Sequence, residues 1–303
     1  MRRIQCAFPC FLTLLLLGGV VSCGGGGNEA DDGGETVYED TSVSGTVTAN
    51  QTWRGTIDIT GDVVIEDGAT VTIDPGTQVR FAAGADDQEG GGTTPITDPP
   101  FPNDPAIAPS QISSISVSGG ALRAVGTETE PIVFTSASTT PAWGDWHSIQ
   151  YNQTGSGLVL QYTVIEYGYS GVQIDTAADD TMMTFSHNTI RHVVACGICG
   201  SPTDTVTLTI SANDISDCGH EGIAIFSPTN FTIEDNVFHD NIQSYGDGPA
   251  SVAVNVGGDT ATIRNNQFLR NWIAINVMPE TSQPTISGNT FSDNTTDCNG
   301  YCP

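Results

Sequence analysis

An all-β chain wound as a single-stranded parallel β-helix, a solenoid of about ten rungs, is predicted by three features of this 303-residue sequence. First, an apolar residue is followed three positions later by Asn and two further on by Ile or Phe. The copies are Phe185-Asn188-Ile190, Ile210-Asn213-Ile215, Ile233-Asn236-Phe238, Ile263-Asn266-Phe268 and Ile286-Asn289-Phe291, with Leu160-Thr163-Ile165 carrying Thr in place of Asn. Their internal spacing is constant while the copies start 25, 25, 23, 30 and 23 residues apart, so insertions fall in one kind of loop. Second, short alternating segments recur between these cores: "GVQI" at Gly171, "GICG" at Gly197, "GIAI" at Gly222, "SVAV" at Ser251 and "WIAI" at Trp272. Bounded by Gly, Asn, Asp and Ser, these read as strands, and helix-length apolar periodicity is missing. Third, Gly68, Gly76 and Gly84 punctuate the first half every eight residues, so three short strands make about one rung.

Taken in order, the elements begin with "MRRIQCAFPCFLTLLLLGGVVSC": two arginines, an apolar run too short to span a bilayer, and a small residue before Cys23. Residues 1–22 therefore read as an export signal. Val20-Val21-Ser22-Cys23 resembles the lipobox of bacterial lipoproteins, which implies cleavage before Cys23 and lipidation of its thiol. Residues 23–42, opening GGGGNEADDGGE, are expected to form a flexible acidic tether. The β-helix domain is placed at 43–303, with Val37 to Trp53 as an N-terminal cap and the polar C-terminal residues as the other. Within it, 85–111 is rich in Pro, Gly and Asp and reads as a long acidic loop leaving the rod.

The segments "ITGDVVIEDGATVTIDPGTQVRF", "ISVSGGALRAVGTETEPIVFTSAS" and "WGDWHSIQYN" resemble the N-terminal part of bacterial right-handed parallel β-helix proteins of the pectin-lyase-like group. The resemblance extends from about Val43 to the end and implies a right-handed winding. It leaves function open, because that group includes lyases, hydrolases, epimerases and adhesins. Trp143 and Trp146 match the group's recurrent Trp segment and are expected to seat N-terminal rungs. "GHEG" at Gly219 resembles the Gly-His-Gly of β-helix polygalacturonases, but Glu221 interrupts it and the companion motifs are absent.

Charge narrows the classes further. Lys+Arg number 8 against 35 Asp+Glu, for a net charge of −27. Such a surface repels phosphates and anionic lipid, so no nucleic acid partner is expected and the membrane is met only through the N-terminal lipid. The expected location is the cell envelope of a bacterium, at the outer membrane or cell surface, as a monomer. Beyond the signal and Cys23 five cysteines remain. Cys298 and Cys302 are expected to close a C-terminal loop, while Cys196, Cys199 and Cys218 offer one further pair and leave one thiol.

Equivalent positions of successive rungs form columns, so candidate chemistry is sought in columns. Three and four residues after the ladder position stand Glu166-Tyr167, Arg191-His192, Ser216-Asp217, His239-Asp240, Leu269-Arg270 and Ser292-Asp293. Neighbouring rungs put Asp217 and Asp240 about 5 Å apart, with His192, His239 and Arg270 beside them. Paired carboxylates at that distance raise one pKa, which suits acid/base work on a glycosidic bond. The competing account is a charge-compensated, solvated turn. Tyr167, Tyr169 and Trp272 are candidates for stacking on sugar rings. Asp86, Asp87 and Glu89 in the acidic loop are candidate Ca²⁺ ligands, and no other cofactor is required. The leading reading is a surface-anchored, non-catalytic polysaccharide-binding or adhesion module. The alternatives are a polysaccharide lyase or glycoside hydrolase and a purely structural envelope component.

Overall fold

A computed structural model describes residues 29–30, 36–84, 112–152, 157–176, 182–202, 206–226, 230–242, 251–279, 282–301 and 303. Within them every regular element is a strand, and no helix is long and apolar enough to cross a membrane. The export signal, Cys23, the loop at 85–111 with Asp86, Asp87 and Glu89, and Cys302 lie outside the described residues.

The strands Thr36–Val47 and Gln51–Ile65 each make one whole rung, and eight three-strand rungs follow, so ten rungs are wound. All of these pair in parallel with the rung before and after, building three faces along the rod. The parallel winding starts at Thr36, inside the span expected to be tether, because Thr36 to Val47 finds registered partners on Gln51 to Ile65. The short strand Glu29–Ala30 adds antiparallel to Val37 and Thr36.

The apolar pattern explains the winding. On the second face, Ile57, Val79, Phe134, Ile165, Ile190, Ile215, Phe238, Phe268 and Phe291 stack one per rung. On the first, Leu160, Phe185, Ile210, Ile233, Ile263 and Ile286 do the same. Each side chain covers the one above, so a continuous core forms that no single rung buries alone. Phe238 and Phe268 stack with centroids 5.0 Å apart, and Phe268 and Phe291 at 5.3 Å. Trp146, fully buried, stacks on Phe81 at 4.0 Å and donates Nε1–H to the Glu166 carbonyl, which seats an N-terminal rung as its position implied.

Between the first and second faces runs the asparagine ladder. The Oδ1 of Asn188, Asn213, Asn236, Asn266 and Asn289 accepts the backbone N–H of Thr163, Asn188, Asn213, Asn236 and Asn266 at 2.8–2.9 Å. Each Nδ2 donates in turn to the carbonyl of Leu160, Phe185, Ile210, Ile233 or Ile263. A buried turn that would strand backbone groups is thus satisfied by one amide per rung. A second ladder stands at the next corner: Asn241, Asn271 and Asn294 accept from Cys218, Asn241 and Asn271 and donate to Ile215, Phe238 and Phe268.

Candidate functional site

From Tyr162 onward each rung turns on two residues in the left-handed region. The first set is Tyr162, His187, Ala212, Asp235, Asn265 and Gly288; the second is Tyr167, His192, Asp217, Asp240, Arg270 and Asp293. Their φ lies between 48° and 67°. Such a residue reverses the chain in one step, throws its side chain outward, and lets the next residue point into the corner, where the asparagines stand. The column of ionisable residues expected from the sequence is therefore the outer apex of the second corner.

Arg270, Asp240 and His239 form a chain of ion pairs with the neighbouring Asp214, and His192 and Asp217 form a separate pair. The Arg270 guanidinium clasps Asp240 through Nε and an Nη at 2.7 and 2.6 Å. His239 presents Nδ1 to Asp240 at 2.7 Å and Nε2 to Asp214, one rung earlier, at 2.9 Å. His192 Nδ1 lies 3.5 Å from Asp217, and its ring stacks on Tyr167 with centroids 5.5 Å apart.

The electrostatics follow from these contacts. The Arg270 hydrogen bond, with His239 adding to it, outweighs partial desolvation and holds the Asp240 carboxyl down at about 2. Burial works against a charge on His239, yet the hydrogen bonds to Asp240 and Asp214 outweigh it and raise its pKa. Both ring nitrogens face carboxylates, so the imidazolium alone donates to both. The expectation that crowding with Asp217 raises a carboxyl pKa fails at Asp240: its nearest charges are cations, and the shift runs downward. Asp217 turns to His192 instead.

This pairing is general. Arg54 meets Glu39, Arg80 Asp58, Arg191 Glu166 and Arg264 Glu234, each across adjacent rungs with the acid on the earlier one. With Arg270 and Asp240, five arginines sit in cross-rung pairs.

The candidate aromatics do not form one platform. Tyr167 stacks on His192, and Tyr169 tilts against His147 with centroids 5.9 Å apart. Trp272, 41% exposed, stands four rungs further on, about 19 Å along the rod, next to the exposed Ile242. The central cysteines resolve into a Cys196–Cys199 disulfide and a free, buried Cys218. Cys298 takes part in a disulfide whose partner lies outside the described residues. Among the described residues no group of three or more His, Cys, Asp or Glu is placed to hold a metal ion.

At the first corner lies a feature that reading the second corner alone had missed. Tyr162 and His187 stack in parallel, centroids 4.6 Å apart and planes within 3°. They border a groove of about 490 Å³ that Thr127, Glu128, Thr189 and Asp214 also line. The signal was in the sequence: the residue immediately before each ladder position runs Tyr, His, Ala, Asp, Asn, Gly.

Residues 170–301 match the family model described as the right handed beta helix region. No curated protein and no solved structure matches the chain. With that match over the ladder rungs, and the same three-faced parallel pairing continuing through the rungs before them, the chain is a right-handed parallel β-helix repeat protein.

Proposed function

We propose that this chain is a non-catalytic polysaccharide-binding or adhesion module, held at the bacterial envelope by a lipid on Cys23. The observation that carries the reading is the clasp on Asp240. With Arg270 and His239 bonded to it, this carboxylate stays ionised and has no proton to give a leaving group. What remains is a long, rigid, acidic rod with aromatic side chains on its corners, which suits holding a polymer rather than cutting it. The lipobox-like Val20 to Cys23 and the acidic stretch after it support the anchoring part of the reading.

The rival reading, a lyase or hydrolase, rests on one observation: His239 is bonded to two carboxylates, which raise its pKa. The test is retention of the purified chain on an immobilised panel of neutral, amino-containing and uronate polysaccharides, with and without Ca²⁺. The proposal expects retention on at least one polymer; passage through all of them rejects it.

A further inference from the structure

We propose that the groove beside Tyr162 and His187 is a saccharide subsite selective for amino sugars, that is, for a cationic oligosaccharide. This rests on the polysaccharide-binding reading and names its site and ligand class.

The groove is built by a change in corner length. From Tyr162 onward the first corner is tight, but one rung earlier the chain runs out through Gly126 to Pro131 before re-entering at Ile132. This loop is braced: Thr127 N–H donates to the Glu130 carbonyl, Glu130 N–H to Thr127 Oγ1, and Gly126 N–H to the Gln161 carbonyl, at 2.9–3.1 Å. It forms an end wall above the tight corners. Below it Tyr162, His187 and Ala212 follow in one column, on successive rungs. The two rings stack on each other along the rod, and Ala212 presents only a methyl group below them. The stack thus borders the groove with Tyr162 half-buried toward the loop and His187 exposed. Flat C–H-rich sugar faces are suited to such surfaces.

The polar groups set the ligand's charge. Glu128 at one end and Asp214, half-exposed with its Oδ1 held by His239 Nε2, at the other place carboxylates three rungs apart, about 14 Å. Thr127 and Thr189 add hydroxyls, and no arginine lines the groove. The nearest one along the second face, Arg191, is bound to Glu166. With a net charge of −27 behind it, this lining repels uronate polymers and attracts ammonium groups carried on sugar rings.

The experiment is calorimetric titration of the chain with four saccharide probes, glucosamine oligomers, their N-acetylated forms, neutral glucan oligomers and oligogalacturonate, and with oligolysine as a non-saccharide cation. Glucosamine oligomers are expected to bind tightest, more weakly as salt rises. Tyr162→Ala, His187→Ala and the exposed-loop variant Glu128→Gln are each expected to weaken binding by about tenfold, while Gln267→Ala, exposed on a strand away from the groove, leaves it unchanged. Equal loss for all four probes in Glu128→Gln, or a preference for oligogalacturonate, overturns the amino-sugar assignment. Undiminished binding in Tyr162→Ala with the fold intact by thermal melting overturns the site but leaves the polysaccharide reading standing. Oligolysine bound as tightly as glucosamine oligomers, and equally in Tyr162→Ala, reduces the groove to a charge effect and overturns it too. Absence of binding to any saccharide removes both this proposal and the reading beneath it.

Discussion

The rungs before Asn152 and those after Gly157 wind the same three faces, yet hold their corners differently. The earlier rungs turn on glycines and aspartates with positive φ, among them Gly55, Gly68, Gly76, Asp40 and Asp67. There, single side chains at the surface take the stranded amides: Asn50 accepts from Thr70, Asp40 from Thr56 and Asp62 from Ser114. Large aromatics, Trp53, Phe81, Trp146 and Tyr151, fill the core beneath. The later rungs replace this with buried amides that bond to one another from rung to rung. A ladder of that kind demands one residue at one spacing, whereas a surface cap tolerates any corner length. The family match over 170–301 falls on the half where that demand is strict.

The comparison can be broken first at the core. Phe268→Ala removes the middle of an aromatic stack, between Phe238 and Phe291, and is expected to cost about 4 kcal/mol in denaturant unfolding. Next come the corners. Asn236→Ala leaves the Asn213 N–H and the Ile210 carbonyl unpaired and buried, so a loss of about 3 kcal/mol is expected. The matching change at the surface, Asn50→Ala, is expected to cost about 1 kcal/mol or less, since water replaces it. Equal losses at Asn236 and Asn50 would show that the two corner chemistries do not differ in kind.

Acid separates the halves further. In the earlier half burial holds His147 down at about 4, with Nδ1 accepting from Gln150, so the folded chain keeps it neutral while the unfolded chain protonates near 6.5. The stability it confers is complete above pH 6.5 and is lost as pH falls through about 4, by roughly 3 kcal/mol. His239, in the later half, has the opposite sign: its pKa is raised, so its contribution is complete below pH 6.5 and is lost as pH rises through the folded value. Melting curves from pH 4 to 8 should flatten at the acid end in His147→Gln and at the neutral end in His239→Gln. The smallest effect is expected at Arg270→Ala, whose melting curve should lie close to that of the wild type, because that pair is exposed and screened by solvent.

Much of this was legible before any coordinates. The apolar residues of the two main columns and the first ladder follow from a spacing that never varies, because a rung out of register would expose its whole inner face. The second ladder was harder, since only Asn241, Asn271 and Asn294 carry it, and Cys218 and Val193 occupy the equivalent corners before them. The start at Thr36 was hidden for a different reason: Thr36 to Val47 is rich in Glu, Asp, Ser and Thr, and its pairing depends on the neighbouring strand rather than on its own pattern. At the candidate site the column of ionisable residues was readable, but which acid meets which base was not. That depends on side-chain direction at a left-handed corner, where Asp240 reaches forward to Arg270 and Asp217 back to His192.

The central claim is that the later half presents a binding surface whose charges are already paired, and polymer length tests it most directly. The purified chain is incubated with each polysaccharide it retains, and chain length and unsaturated ends are followed over time for the wild type, Asp217→Ala and Asp240→Ala. The account predicts retention with unchanged polymer length in all three. Shortened or unsaturated products from the wild type that disappear in either variant would contradict it.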